Sequence, residues 1–147
     1  DAATAAFSRS TTAHTGTSSE RLELANVAGA TGEIGVALDF GECSIFSTAG
    51  NSYEFSLFYQ ADPTGPVPTL QLVTYRLTSD FVWHEWEHSV AFAAESPGTW
   101  VQRGFVTPPI PEGVIAISFS LRQESPGIIY VDDFDSVPLG PNGTPAN

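Results

Sequence analysis

The chain has 147 residues, 41% of them hydrophobic, and sets 17 acidic side chains against five basic ones, a formal charge of −12 at neutral pH. A chain of this length builds one core rather than two. The negative charge opposes phosphate backbones and anionic lipid, which sets nucleic acid and membrane surfaces aside as partners, and no apolar run approaches the roughly 20 residues of a spanning helix.

The chain starts Asp1-Ala2-Ala3, contains no methionine and shows no basic-then-apolar leader, so it reads as a processed product or a fragment of something longer. All five basic residues are arginine, and the lack of lysine beside so much acid suits an exported, extracellular protein kept soluble by charge. Cys43 stands alone, which excludes an internal disulfide. It reads as a buried thiol or as one whose partner lies upstream.

The first dozen residues, small and polar around Phe7, read as linker. Beyond them apolar residues recur at a period near two, as in Leu22 and Leu24, in Tyr53, Phe55 and Leu57, and in Ile115, Ile117, Phe119 and Leu121. The pattern predicts strands at 21–25, 33–39, 52–60, 69–77, 81–92, 99–106, 114–122 and 127–134. Turn chemistry divides them, at Gly50-Asn51, Asp62-Pro63-Thr64-Gly65-Pro66, Ser96-Pro97-Gly98, Pro108 to Gly113 and Ser125-Pro126-Gly127. Short strands punctuated in this way specify an all-β antiparallel β-sandwich, a jelly roll, over 1–136. Residues 137–147, with Pro138, Gly140, Pro141, Gly143 and Pro145, read as a C-terminal linker.

His84-Glu85-Trp86-Glu87-His88 matches H-E-x-x-H, in which two histidines one helical turn apart bind zinc and the glutamate activates water. The segment 80–95 can be drawn as a helix with Asp80 as its N-cap. Its surroundings oppose the motif, because Phe92 to Glu95 supply neither the glycine nor the third histidine of the extended pattern. In a strand the two histidines lie about 13 Å apart along the chain, too far to share a metal. There is no G-x-S-x-G elbow for His14, His84 or His88 to serve. A carboxylate pair for glycoside hydrolysis can be drawn from any 17 acids and therefore carries no information. The expectation is a protein without catalysis of its own.

All three tryptophans fall between 83 and 100. Trp83 and Trp86, three positions apart, point to opposite faces of a regular strand, so one of them faces outward. An exposed indole stacks on the apolar face of a pyranose ring while neighbouring charged side chains bond the hydroxyls. The candidate sugar site is therefore Trp83, Trp86 and Tyr75 for stacking, with Arg76, Asp80, His84 and Glu85 for hydroxyl contacts. The chain's charge favours a neutral or cationic polysaccharide.

Several segments in order carry a family resemblance: Ala13-His14-Thr15-Gly16 before Leu22-Glu23-Leu24, then Asp39-Phe40-Gly41-Glu42-Cys43, Tyr53 to Tyr59, and Tyr75-Arg76. They continue through the Trp83/Trp86 pair, Trp100, Thr107 to Gly113 and Ile129-Tyr130-Val131-Asp132-Asp133-Phe134. Together they resemble the galactose-binding-like jelly-roll carbohydrate-binding modules appended to secreted polysaccharide-active enzymes. The resemblance implies polysaccharide binding without catalysis and an upstream catalytic domain as partner. It also implies a structural calcium held by Asp132, by carbonyls near the His14-Thr15-Gly16 turn and by a glutamate of an opening N-G-G-F-E strand. The chain starts downstream of such a strand, which leaves the calcium set short of its glutamate or a sheet edge open to another chain. That edge defines the alternative, a structural or adhesive extracellular subunit that self-associates.

Overall fold

The computed structural model describes residues 4–25, 31–36, 38 and 45–141. Eleven strands form among them: β1 (Thr4–Ser10), β2 (Ser19–Ala25), β3 (Gly32–Gly35), β4 (Ile45–Phe46), β5 (Ser52–Ala61), β6 (Thr69–Thr78), β7 (Trp83–His88), β8 (Phe92–Ala93), β9 (Val101–Val106), β10 (Val114–Gln123) and β11 (Gly127–Leu139). One sheet runs in the order β1-β2-β11-β5-β9. The second runs β3-β10-β6-β7, with β4 also on β10 and β8 also on β6. Every pairing is antiparallel, and the architecture is the two-layer sandwich that the period-two pattern specifies.

The core is the inner half of that alternation. From the first sheet come Leu22 and Leu24, then Phe55, Leu57 and Tyr59, then Ile129 and Val131; from the second come Ile34, Leu70 and Leu72, then Ile117, Phe119 and Leu121. Phe55 stacks on Phe119 across the two layers at 4.3 Å between ring centroids. Burial of such side chains stabilises by about 1.5–3 kcal/mol each before entropy is counted.

Several elements differ from expectation. The N-terminal stretch read as linker is strand β1, paired along its length with β2. Its side chains from Ala5 to Arg9 are all exposed, and Phe7 is 59% exposed although its register partner Leu22 is fully buried. The sandwich therefore closes over β2 and leaves β1 overhanging. β11 runs on to Leu139, into the stretch read as a C-terminal linker, because Ser136–Leu139 pair with Ser52–Phe55 and Leu139 is buried. The long strand expected at 81–92 is two, β7 and β8. Between them Ser89 leaves the ladder to bond the Leu72 N–H through its Oγ, at 3.0 Å. Asp39 to Cys43, and with them the lone thiol, lie outside the described residues.

A bulge in the β6–β7 pair positions the site. Tyr75 pairs with Glu85 and Val73 with His88, so Thr74 alone stands opposite both Trp86 and Glu87. Thr74 Oγ1 fills the gap, donating to the Glu87 carbonyl at 2.9 Å and accepting from the Glu87 N–H at 3.0 Å. The extra residue re-phases β7 beyond it.

Candidate functional site

On the second sheet, residues opposite one another across an antiparallel pair share a face. Inward are Ile117, Phe119 and Leu121 of β10 with their β6 partners Arg76, Thr74 and Leu72. Outward are Ser118, Ser120 and Arg122 with Tyr75, Val73 and Gln71. Continuing the register adds Glu33 from β3, opposite Arg122, and Glu85, His88 and Trp83 from β7, opposite Tyr75, Val73 and Leu77. The bulge keeps Glu85 and His88 on one face although they are three residues apart.

These outward side chains form one connected polar network across four strands. The Tyr75 hydroxyl is shared by both Glu33 carboxylate oxygens, each at 2.7 Å, and Ser120 Oγ donates to Glu33 Oε1 at 2.9 Å. Arg122 lies between the two acids, with Nε 3.2 Å from Glu33 Oε1 and Nη2 2.8 Å from Glu85 Oε2. Its Nη2 also donates to the Tyr75 oxygen at 3.4 Å. His88 Nδ1 stands 3.5 Å from Glu85 Oε1. The Arg122 hydrogen bond, above other causes, holds the Glu85 carboxyl below the usual carboxylate range. Glu85 in turn holds the guanidinium above its already high value. Burial first, then the Glu33 carboxylate, push the Tyr75 phenol up, so it stays a neutral donor.

The floor under this network is small. Val73 is fully buried and Ser120 nearly so. Beside them, Gly35 leaves no room for a side chain, since a Cβ there would meet Ser120 Cβ at 2.5 Å and the Phe119 carbonyl oxygen at 2.6 Å. Glycine thus lets β3 approach closely enough for Glu33 to reach Arg122.

Of the residues picked from sequence, Tyr75, Trp83 and Glu85 come together on the outer face. Trp86 packs inward against the core, as one member of an opposite-facing pair must. Arg76 and His84 are register partners on the core-facing side, with Arg76 Nε buried and without a hydrogen-bond partner. Asp80 sits in the β6–β7 turn, bonding Thr78 Oγ1 at 2.5 Å, the Val82 N–H at 3.2 Å and His84 Nε2 at 3.2 Å. The Thr78 hydroxyl, with these partners, lowers its carboxyl to about 2. Strand phase thus separates these four residues from the outer face: Trp86 packs on the core, Arg76 and His84 pair across the other face, and Asp80 lies in the turn. Glu33, Ser120 and Arg122 were not picked. For Arg122 a signal existed, because a residue next in alternation after Ile117, Phe119 and Leu121 on one face must lie on the other.

The H-E-x-x-H segment is strand, not helix. Its histidines occupy opposite faces and meet different carboxylates, His84 with Asp80 and His88 with Glu85. Among the described residues no group of three His, Cys, Asp or Glu side chains could hold a metal ion.

Asp132, the residue expected to hold calcium, is hydrogen-bonded to the His14-Thr15 turn. Its Oδ2 accepts the N–H groups of His14 (2.9 Å) and Thr15 (3.2 Å), and its Oδ1 accepts the Asp133 N–H (2.9 Å). Asp133 in turn holds His14 Nδ1 at 2.6 Å and Thr15 Oγ1 at 2.5 Å, while the His14 ring stacks on Phe58 at 3.7 Å. The His14-Thr15 turn thus presents donors to Asp132, whereas calcium needs six to eight oxygen ligands.

A cleft of about 560 Å³ lies elsewhere, under the overhanging β1, lined by Phe7, Arg9, Glu20, Val131 and Phe134 among others. None of the residues lining it belongs to the polar network.

No protein-family profile matches the chain, and no curated protein does. Solved structures do. The chain is similar to the CBM22-1–GH10 portion of Clostridium thermocellum xylanase 10B in complex with xylohexaose, at 21% identity and a TM-score of 0.62, over 97% of this chain and 26% of that one. It thus spans about a quarter of that structure's length. It is also similar to the CBM22-1 xylan-binding domain of Paenibacillus barcinonensis Xyn10C, at 10% identity and a TM-score of 0.62 over 99% and 86% of the two chains. A further xylan-binding domain from CBM22 matches at 14% identity and a TM-score of 0.58, over 90% and 81%. At these identities the likeness shows a shared β-sandwich fold.

Proposed function

We propose that the chain is a non-catalytic carbohydrate-binding module whose polysaccharide ligand lies on the outer face of the second sheet. The observation that carries this reading is the network of Glu33, Arg122, Tyr75 and Glu85, which crosses four strands on one face and meets the Trp83 edge. Three inter-strand spacings make a row of about 14 Å, room for a short run of sugar rings. Each ionised member is held in place by another, so the donors and acceptors that meet hydroxyls are fixed before a ligand arrives. Trp83 supplies the apolar surface on which a pyranose stacks.

The neighbours support a neutral, xylan-like glycan, since three of them are described as bound to xylohexaose or as xylan-binding. In the network two carboxylates flank one guanidinium, which also disfavours an anionic ligand. One neighbour carries its module beside a GH10 module. By analogy this chain serves a secreted enzyme by raising the effective concentration of substrate near a catalytic domain.

The test is mobility on native gels containing soluble xylan and a panel of other neutral, cationic and anionic polysaccharides. Retardation by a neutral glycan is expected, together with its loss in the size-conserving double variant Glu33→Gln/Tyr75→Phe at an unchanged circular dichroism spectrum. Unchanged retardation in that variant removes the site from this face. Absence of retardation by any glycan, with a mass in sedimentation that rises with concentration, favours the self-associating subunit instead.

A further inference from the structure

We infer that Phe46 is a second stacking residue of the proposed site, placed across the sheet from Trp83, so that the bound glycan crosses the strands rather than following them. The inference rests on the reading above and deepens it by assigning a residue that determines how the glycan lies.

Strand register fixes where Phe46 stands. In β4, Ile45 pairs with Ile117 and packs against the core, while Phe46 pairs with Ala116 on the other face. Leu77 of β6 is the next partner of Ala116, and Trp83 of β7 is the partner of Leu77. Phe46, Ala116, Leu77 and Trp83 therefore make one row across four strands, on the outer face that carries the network. Three inter-strand spacings set its two aromatic ends about 14 Å apart. The adjacent outward row is Ser118, Tyr75 and Glu85, where the hydroxyl-binding groups begin.

The fold does not account for this ring. Phe46 is 70% exposed, the most exposed phenylalanine among the described residues. Its position is held through the backbone. The Tyr53 hydroxyl donates to the Phe46 carbonyl at 3.3 Å, and the adjacent Ser47 donates its N–H to the Ile115 carbonyl at 3.1 Å and its Oγ to the Val114 carbonyl at 3.0 Å. A single exposed ring calls for no explanation. Here the middle members of the row, Ala116 and Leu77, are buried, and an aromatic closes each end. A polymer laid along the row offers the apolar face of a pyranose to each ring, while the sugars between them meet Tyr75 and Glu85 alongside.

The experiment measures xylohexaose binding by calorimetry in the full chain, in Phe46→Thr, which removes the ring and keeps a strand-forming residue, and in Phe46→Tyr, which keeps the ring. The expected result is about fivefold weaker binding for Phe46→Thr, the size of one aromatic contact, with affinity kept in Phe46→Tyr and melting temperatures unchanged in both. Because the two rings are far apart, Phe46→Thr combined with Trp83→Ala should show the product of the two losses. A double variant no weaker than Trp83→Ala alone, or Phe46→Thr at wild-type affinity, overturns the inference while leaving the proposed function intact. Equal weakening in Phe46→Thr and Phe46→Tyr overturns it too, since the ring is then not the contact. If the wild-type mass in sedimentation rises with concentration and Phe46→Thr abolishes the rise at unchanged hexaose affinity, the ring meets a second copy of the chain and the inference fails. A wild-type chain that does not bind xylohexaose overturns the underlying reading, and this one with it.

Discussion

Replacing Arg122 with methionine keeps most of the side chain's apolar stem and removes the guanidinium that holds the outer face together. The group is 19% exposed and serves Glu33, which is 33% exposed, and Glu85, which is 41% exposed. Charge-assisted hydrogen bonds of this kind are worth about 1.5–3 kcal/mol when sheltered. Solvent screening at Glu85 reduces the sum to about 1–2 kcal/mol. For a chain of this size that is a fall in melting temperature of roughly 3–6 °C at pH 7. The acid dependence supplies the sharper test. Glu85 has a folded pKa below its unfolded value, so its contribution is present above the unfolded value of 4.5 and is lost as pH falls through the depressed folded value. The wild type should therefore lose its advantage over Arg122→Met between about pH 5 and pH 3, as read by scanning calorimetry across that range. A gap in melting temperature that stays constant from pH 7 to pH 3 would refute the assigned ion pair.

Trp83→Ala and Trp86→Ala should separate by face: the first weakens glycan retention at nearly unchanged stability, while the second costs about 2 kcal/mol in urea denaturation, as loss of a half-buried indole does, and spares binding. Gly35→Ala forces β3 away from Ser120 and Phe119 and should lower stability by about 2 kcal/mol, with glycan retention lost alongside because Glu33 moves with the strand. Chelator should leave the melting temperature within error of the untreated protein, since Asp132 is already satisfied by N–H donors; a fall on chelation, reversed by calcium, would contradict that assignment.

Alternation alone was enough to specify an all-β sandwich, because a strand buries every second side chain and β5 does so from Tyr53 to Ala61 without a lapse. The same rule placed Trp83 and Trp86 on opposite faces. Tyr75, Trp83 and Glu85 lie on one hairpin and are close in the chain as well as in space. The rest of the site was hidden for two reasons. Glu33 meets Ser120, 87 residues further on, and Arg122 only through the register of β3 on β10, and register is a long-range property that local pattern does not encode. Glu85 and His88 share a face only because Trp86 and Glu87 bulge opposite Thr74, a change of phase set by how two strands pair. Side-chain periodicity is a property of one strand and is written in its residues. Which strands lie side by side, and in what register, is decided by the packed sandwich, and that decision is what assembles the site.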